Sequence, residues 1–221
     1  MDSVDSMVNS EIVAYVDSEI LPRYDSFDAA HRRDHVQRVI EQSLELARRH
    51  GLDADMAYVI AAYHDTGLVE GREHHHTVSA RIVREDVELR RWFSGEQIEL
   101  MAEAVEDHRA SSQHPPRSIY GRVVAEADRF IDCYEVIRRT VQYTITHHPE
   151  LDKEQGRERM HEHLREKYGY GGYLKLWFDD SENARRLEEL RELIADREAL
   201  DRIYDEICCE KAASAAPQSL G

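Results

Sequence analysis

Apolar residues recur every three to four positions along almost the whole chain, and no stretch alternates with the period of two that a half-buried strand needs. The pattern predicts a helix from Ser10 to about Leu21, where Pro22 follows, and a second from about Asp28 to His50. On that second helix Val36, Val39, Ile40, Leu44 and Ala47 share one face, and Gly51 ends it. A third covers about Asp53 to Thr66, and others cover Thr77 to Trp92, Gly95 to Arg109 and Ile119 to His147. Between the last two, "ASSQHPPRS" reads as a loop around Pro115 and Pro116. Beyond Pro149 come a helix to about Tyr168, the connector "GYGG", and a charged helix from Ser181 to about Ile207. The expected fold is all-α. It comprises a helical bundle over 1–148 that includes the N-terminal helix, a helical extension over 149–210, and a disordered tail over 211–221.

One stretch of the third helix breaks the ordinary pattern. "VIAAYHDTGL" opens with five positions suited to a packed core and then sets His64 and Asp65 side by side, with Gly67 closing the run. Burying an imidazole next to a carboxylate is costly unless both find partners. Neighbours on a helix point about 100° apart. The pair therefore faces one cation only if the ion sits over the helix end, or if Asp65 bridges two ions while His64 binds one.

The 13 histidines cluster in the same region. "HRRDH" puts His31 and His35 one turn apart, "REHHHTVSA" offers His74, His75 and His76 near a helix start, "AVEDHRA" supplies His108, and "VVAEADRF" places Asp128 on an otherwise apolar face. Singly, each has a plainer reading. A lone histidine on an apolar face is usually a hydrogen-bonded core residue, "HHH" an exposed turn, and Asp128 a salt-bridge partner of Arg122 or Arg129. Imidazoles and carboxylates aimed inward from several helices are, however, how bundles build metal sites.

Taken together, the residues resemble the HD-domain superfamily of metal-dependent phosphohydrolases, over roughly residues 28 to 135. The H…HD…D pattern of that family reads here as "HVQRV" for His35, "AAYHDTG" for His64 and Asp65, and "AEADRF" for Asp128. "H(x)3SA" at His75, Ser79 and Ala80 is similar to the segment that adds a histidine in dinuclear members. "AVEDHRASS" followed by "PPRSIYGRVVAEADR" looks like the small stand-alone bacterial branch. The resemblance implies an HD domain with a metal set of His35, His64, Asp65, Asp128, His75 and His108. Asp65, His75 and His108 would be its catalytic residues. His74 and His76 compete with His75, and the spacing to Ser79 favours the middle one. His31 either orients His35, meets substrate or does neither. No GYP-type signature of the cyclic-dinucleotide phosphodiesterases is present.

The chemistry that follows is one or two divalent ions, with mixed N/O ligation suiting Mn, Fe, Co, Ni or Zn better than Mg. Such an ion lowers the pKa of bound water towards neutrality, makes hydroxide available as a nucleophile and neutralises phosphoryl oxygens. With one ion only, His75 and His108 would instead contact phosphate or the leaving group. Arg109, beside His108, is the nearest further cation for phosphate, ahead of Arg32, Arg33 and Arg117. The substrate implied is a small phosphorylated molecule, in first place a nucleotide.

Charge narrows the partners. A net charge of −16 argues against nucleic acid or an anionic membrane as partner, but not against a small anion held by local cations. Cys133, Cys208 and Cys209 form no disulfide framework or CxxC pair, and the acidic start "MDSVDSMVNSE" is unlike a secretory signal, so a cytoplasmic location is expected. The apolar stripe of Leu187, Leu190, Ile194, Leu200, Ile203 and Ile207 is expected to pack on its own domain, since Arg197 interrupts the seam, and a homodimer stays open. "YGYGGY" lacks the strand and GK[ST] of a phosphate loop and reads as a connector. His147, His148, His161 and His163 read as surface. Beside the hydrolase stand two other readings, a di-iron HD-fold oxygenase and a non-catalytic nucleotide-binding sensor.

Overall fold

The structure is a computed structural model that describes residues 7–27, 31–109 and 114–215. Among them every regular element is a helix or helical turn, so the fold is all-α. Among the described residues no helix is long and apolar enough to cross a membrane. The chain divides into two compact units, Met1–Phe130 and Ile131–Gly221, ahead of the boundary after His148 that the helix pattern suggests.

In the first unit, α1 (Ser10–Tyr15) runs into a π-helical turn (Val16–Ile20) and a 3-10 turn (Leu21–Ser26). Then come α2 (Arg33–Arg49), α3 (Ala54–Tyr63), α4 (His75–Glu85), α5 (Gly95–Asp107) and α6 (Ile119–Ala127), with 3-10 turns at Thr66–Glu70 and Val87–Arg91. Of the long helix expected from Asp28, residues 28–30 lie outside the described residues, and His31 and Arg32 precede the first helical residue. Helix α3 is the centre of the unit. Its residues from Met56 to Tyr63 are all buried, as a helix apolar all round must be. Val36, Val39, Ile40 and Leu44 of α2, Val83 of α4, Ile98, Met101 and Val105 of α5 and Val124 of α6 complete one core with it.

Two of the expected helices that start in the first unit are interrupted. The segment from Thr77 to Trp92 breaks at Asp86, whose extended backbone caps the following 3-10 turn. Its carboxylate accepts from the hydroxyls of Tyr15 at 2.7 Å and Tyr63 at 2.5 Å. The segment expected as one helix from Ile119 to His147 stops at Ala127, with Asp128 as its C-cap, and restarts at Cys133 with Asp132 as N-cap. The apolar spacing runs through that break, which is why periodicity alone passes over it.

The second unit holds α7 (Cys133–His147), α8 (Lys153–Tyr168), α9 (Glu182–Ala195) and α10 (Arg197–Ala215). The final expected helix is two, because Asp196 leaves helical geometry and accepts from the Ala199 N–H to start α10. Leu187, Leu190, Leu200 and Ile207 pack with Ile137, Val141, Met160 and Leu164, so the apolar stripe is consumed within its own unit. Helix α10 extends to Ala215, into the segment read as a tail, and 216–221 lie outside the described residues. The glycines of "YGYGGY" serve the end of α8. Gly169 donates to the Leu164 and Arg165 carbonyls, and Tyr173 N–H folds back to Glu166 O at 3.1 Å.

Candidate metal centre

The residues singled out in the sequence meet at helix ends. His64 is the C-cap of α3, His108 of α5 and Asp128 of α6, while His75 opens α4 and His35 lies in the first turn of α2. Helix ends leave backbone carbonyls without intrahelical partners, and here imidazoles use them. His64 Nδ1 lies 2.7 Å from Ala61 O, and His108 Nδ1 lies 2.6 Å from Val105 O. His75 Nδ1 is 2.8 Å from Arg72 O, just ahead of its helix. A carbonyl only accepts, so each Nδ1 carries the proton and donates it. Each Nε2 is thereby a lone pair aimed away from the helix, the tautomer a metal ligand needs.

Those lone pairs converge in two pairs. His35 Nε2 and His64 Nε2 are 3.2 Å apart, and His75 Nε2 and His108 Nε2 are 3.1 Å apart. Asp65 stands between them. Its Oδ2 is 3.2 Å from His64 Nε2 and 3.5 Å from His35 Nε2, while its Oδ1 is 3.5 Å from both His75 Nε2 and His108 Nε2. Asp128 Oδ1 joins the first pair, 3.3 Å from His35 and 3.7 Å from His64. The arrangement has room for either geometry considered for the His64–Asp65 dipeptide. The helix ends at Tyr63, Asp65 leaves helical backbone at φ −108° and ψ 4°, and its two oxygens serve two histidine pairs.

Electrostatics favours a cation here. His75 and His108 both spend their only neutral-state proton on carbonyls, so their Nε2 lone pairs would repel at 3.1 Å without a positive charge between them. Among the described residues the ion-pair partners of Asp65 are these histidines, not a lysine or arginine. Burial pushes the His35 imidazole down, but Asp128 and Asp65 outweigh it and hold its pKa at about 9. Burial likewise opposes the charged forms of Asp65 and Asp128, yet the imidazoles around them hold both carboxyls below their ordinary range. In this cluster protons do what a divalent ion would do better. Among the described residues two sets satisfy ligand spacing, His35–His64–Asp65 and Asp65–His75–His108. Four imidazoles and two carboxylates are the mixed N/O donors that suit a first-row divalent ion. His64, Asp65 and His108 form the buried floor, and His35, His75 and Asp128 the partly open edge.

Local sequence explains the approach of α4. A Cβ on Gly67 would stand 2.1 Å from His75 O and 2.6 Å from Ser79 N, so only glycine lets the turn after Asp65 touch the start of α4. Ser79 Oγ accepts the Gly67 N–H at 2.8 Å, which gives the "H(x)3SA" spacing its physical reason. Of the three adjacent histidines, His75 is the one in the cluster. His74 is exposed beside Glu73, and His76 packs edge-on against His75 at 5.6 Å. His31 lies 5.8 Å, ring to ring, from His35, and Arg109 Nη1 donates to Glu73 O at 2.7 Å. Arg33 pairs with Asp25, Arg32 is exposed at the start of α2, and Arg117 is committed to Asp107 and Glu106.

Two residues escape a sequence reading. The Tyr24 hydroxyl donates to Ala62 O at 2.8 Å and accepts the Asp65 N–H at 3.3 Å, ending α3 and freeing Ala61 O for His64. Arg72 supplies the carbonyl that orients His75. A correction concerns His161, expected on the surface. It is buried in the second unit, with Nε2 2.6 Å from Asp201 Oδ1.

Two comparisons say what the chain is similar to. The family model described as HD domain matches residues 32–131, a segment that contains all six residues of the cluster. A solved structure described as a predicted HD superfamily hydrolase, from an uncultured Thermotogales bacterium, is 20% identical. The match covers 72% of this chain and 87% of that one at a TM-score of 0.47. No curated protein matches the chain. What the comparisons establish is therefore a match to the HD domain over residues 32–131, somewhat under half of the chain.

Proposed function

We propose that the protein is a metal-dependent phosphohydrolase acting on a nucleotide or another small phosphate ester. The observation that carries this reading is Asp65, one buried carboxylate with one oxygen towards each of two histidine pairs. In this account His35, His64, Asp65 and Asp128 hold one divalent ion, and Asp65, His75 and His108 hold a second. Bound there, such ions lower the pKa of water towards neutrality and neutralise phosphoryl oxygens. The chain's own residues prepare the site. Backbone carbonyls lock His64, His75 and His108 in the ligating tautomer, and the buried floor excludes bulk water from one side. In this account Arg109, tethered to Glu73 O, and His31, beside His35, meet the substrate at the open edge. The match of residues 32–131 to the HD domain agrees with this reading.

The test is phosphate and nucleotide release from mono-, di- and triphosphates and cyclic dinucleotides. Metal-stripped protein restored with Mn is the enzyme and Asp65→Ala the control. Turnover of one class that disappears in the variant supports the reading. The same donors would also hold two irons, so oxygen consumption by the iron-loaded protein with no phosphate release would replace it with oxygen chemistry. Binding of a nucleotide without either activity would make the protein a sensor.

A further inference from the structure

Resting on the two-ion part of the phosphohydrolase reading, we propose that Arg109 is a positioning residue for the second ion, acting through the backbone that holds His75. His64, His75 and His108 each direct Nδ1 at the carbonyl three residues earlier, that of Ala61, Arg72 and Val105. The Ala61 and Val105 carbonyls lie inside α3 and α5, so the helix itself fixes them. The Arg72 carbonyl lacks that support. Residues 71–74 lie between the 3-10 turn after Asp65 and the start of α4, outside any helix, and all four are exposed. Exposed backbone of this kind opens locally at little cost, and a carbonyl that moves takes the His75 ring with it.

Arg109 supplies the missing restraint. Its Nη1 donates to Glu73 O at 2.7 Å, the carbonyl next after the one His75 uses. Arg109 itself follows directly on His108, the buried C-cap of α5, whose Nε2 is 3.1 Å from His75 Nε2. The residue after one ligand thus pins the backbone two residues before the other. Arg81 pairs with Glu70, and the Gly67 N–H donates to Ser79 Oγ, so these contacts hold the turn to α4 while Arg109 ties the following segment to the end of α5. On the other side of Asp65, His35 is carried within α2 and His64 is fixed by the Ala61 carbonyl of α3, so loss of the Arg109 contact acts on His75. The contact uses one N–H of a fork that has several, and is compatible with phosphate binding by the same side chain.

The sign of the effect on metal binding separates this role from one of charge alone. A guanidinium acting only as a nearby positive charge repels a cation, and its removal tightens metal binding. A guanidinium that steadies the carbonyl behind a ligand aids binding, and its removal weakens it.

Zn titrations of the metal-stripped full chain, followed by ring-nitrogen NMR of its histidines, read the affinity at each pair separately. In the wild type both pairs are expected to bind Zn. Arg109→Met keeps a long side chain without a donor, and should weaken binding at His75 and His108 roughly tenfold or more, with binding at His35 and His64 unchanged. Arg109→Lys restores a donor and should recover part of the loss. Unchanged or tighter binding at His75 and His108 in Arg109→Met, equal weakening at both pairs, or no recovery in Arg109→Lys would each overturn the proposal. Ester turnover by a wild type that binds Zn at both pairs, with Arg109→Met binding as tightly, would overturn it and leave the hydrolase standing. Zn at only one pair in the wild type would remove the second ion and the proposal with it. Weakening confined to His75 and His108, in a protein that hydrolyses no phosphate ester, would support the proposal and remove the hydrolase.

Discussion

Two histidine–carboxylate clusters, one in each unit and each with a buried histidine, use the same residue types to opposite ends. In the second unit His161 Nε2 meets Asp201 Oδ1 at 2.6 Å. Arg157 stands beside them, its Nε 3.8 Å from Asp201 Oδ1 and its Nη2 2.8 Å from Asp205, which Lys153 also pairs. There each carboxylate already has a fixed cation. In the first unit Asp65 meets four imidazoles, three of which have given their Nδ1 proton to carbonyls. Two lone-pair couples face each other across it. The difference lies in convergence and in which cation serves the carboxylate. A carboxylate with its cation built in is a structural pair, and one left to gather imidazole lone pairs is a place for a metal ion.

The contrast breaks first, and most visibly, by removing one carboxylate from each cluster. Asp65→Ala is expected to lose bound divalent metal and to lower turnover roughly a thousandfold or more, since several kcal/mol of transition-state stabilisation goes with the ions. Asp201→Asn should leave metal content and turnover unchanged and lower stability by about 1–2 kcal/mol, as a charge-assisted hydrogen bond is lost. Elemental analysis and thermal unfolding of the two variants check both halves. Metal loss in Asp201→Asn would contradict the distinction.

Gly67→Ala sharpens the contrast within the first unit. The added methyl meets backbone atoms of His75 and Ser79, which cannot swing aside as a flexible side chain would. A cost of about 3 kcal/mol is expected, together with loss of the ion at His75 and His108 while the one at His35 and His64 remains. Urea unfolding with metal titration reads both.

The metal-free protein should show the proton acting in the cation's place. His35 is raised from 6.5 to about 9 by Asp128 and Asp65 against the opposing effect of burial. A raised folded pKa gives stability that is fully present below 6.5 and lost as pH climbs through about 9, worth up to about 3 kcal/mol at 1.36 kcal/mol per unit. Metal affinity should move the opposite way, rising with pH as protons cease to compete. Stability of stripped protein that stays flat between pH 6 and 9.5 would count against the arrangement at His35. The smallest effect is expected for Tyr24→Phe. It leaves Ala62 O and the Asp65 N–H without their partner, at about 1–2 kcal/mol, with both ions retained.

Much of the centre was legible because its residues sit where periodicity and motif agree. His64 and Asp65 end an all-apolar helix, His75 stands one turn before Ser79, and Asp128 lies on the apolar face of α6. What escaped was set by distance in sequence or by backbone. His161 reads as surface until α10 brings Asp201 to it, 40 residues away. Tyr24 acts on Asp65 across 41 residues. Arg72 orients His75 through a carbonyl, an atom every residue carries, so its identity gives no hint. The break at Asp128 was hidden because apolar spacing runs through it, whereas the one at Asp196 shows in the sequence as the interruption of the apolar seam at Arg197; the capping roles of Asp132 and Asp196 mark the new starts.

The measurement that bears most directly on the centre is metal stoichiometry under Mn titration for wild type, His75→Ala/His108→Ala and Asp65→Ala. A shared carboxylate between two ligand sets predicts two ions per chain in the wild type, one in the double variant and none tightly held without Asp65. Two ions retained in Asp65→Ala, or one ion in the wild type that survives loss of both His75 and His108, would contradict it.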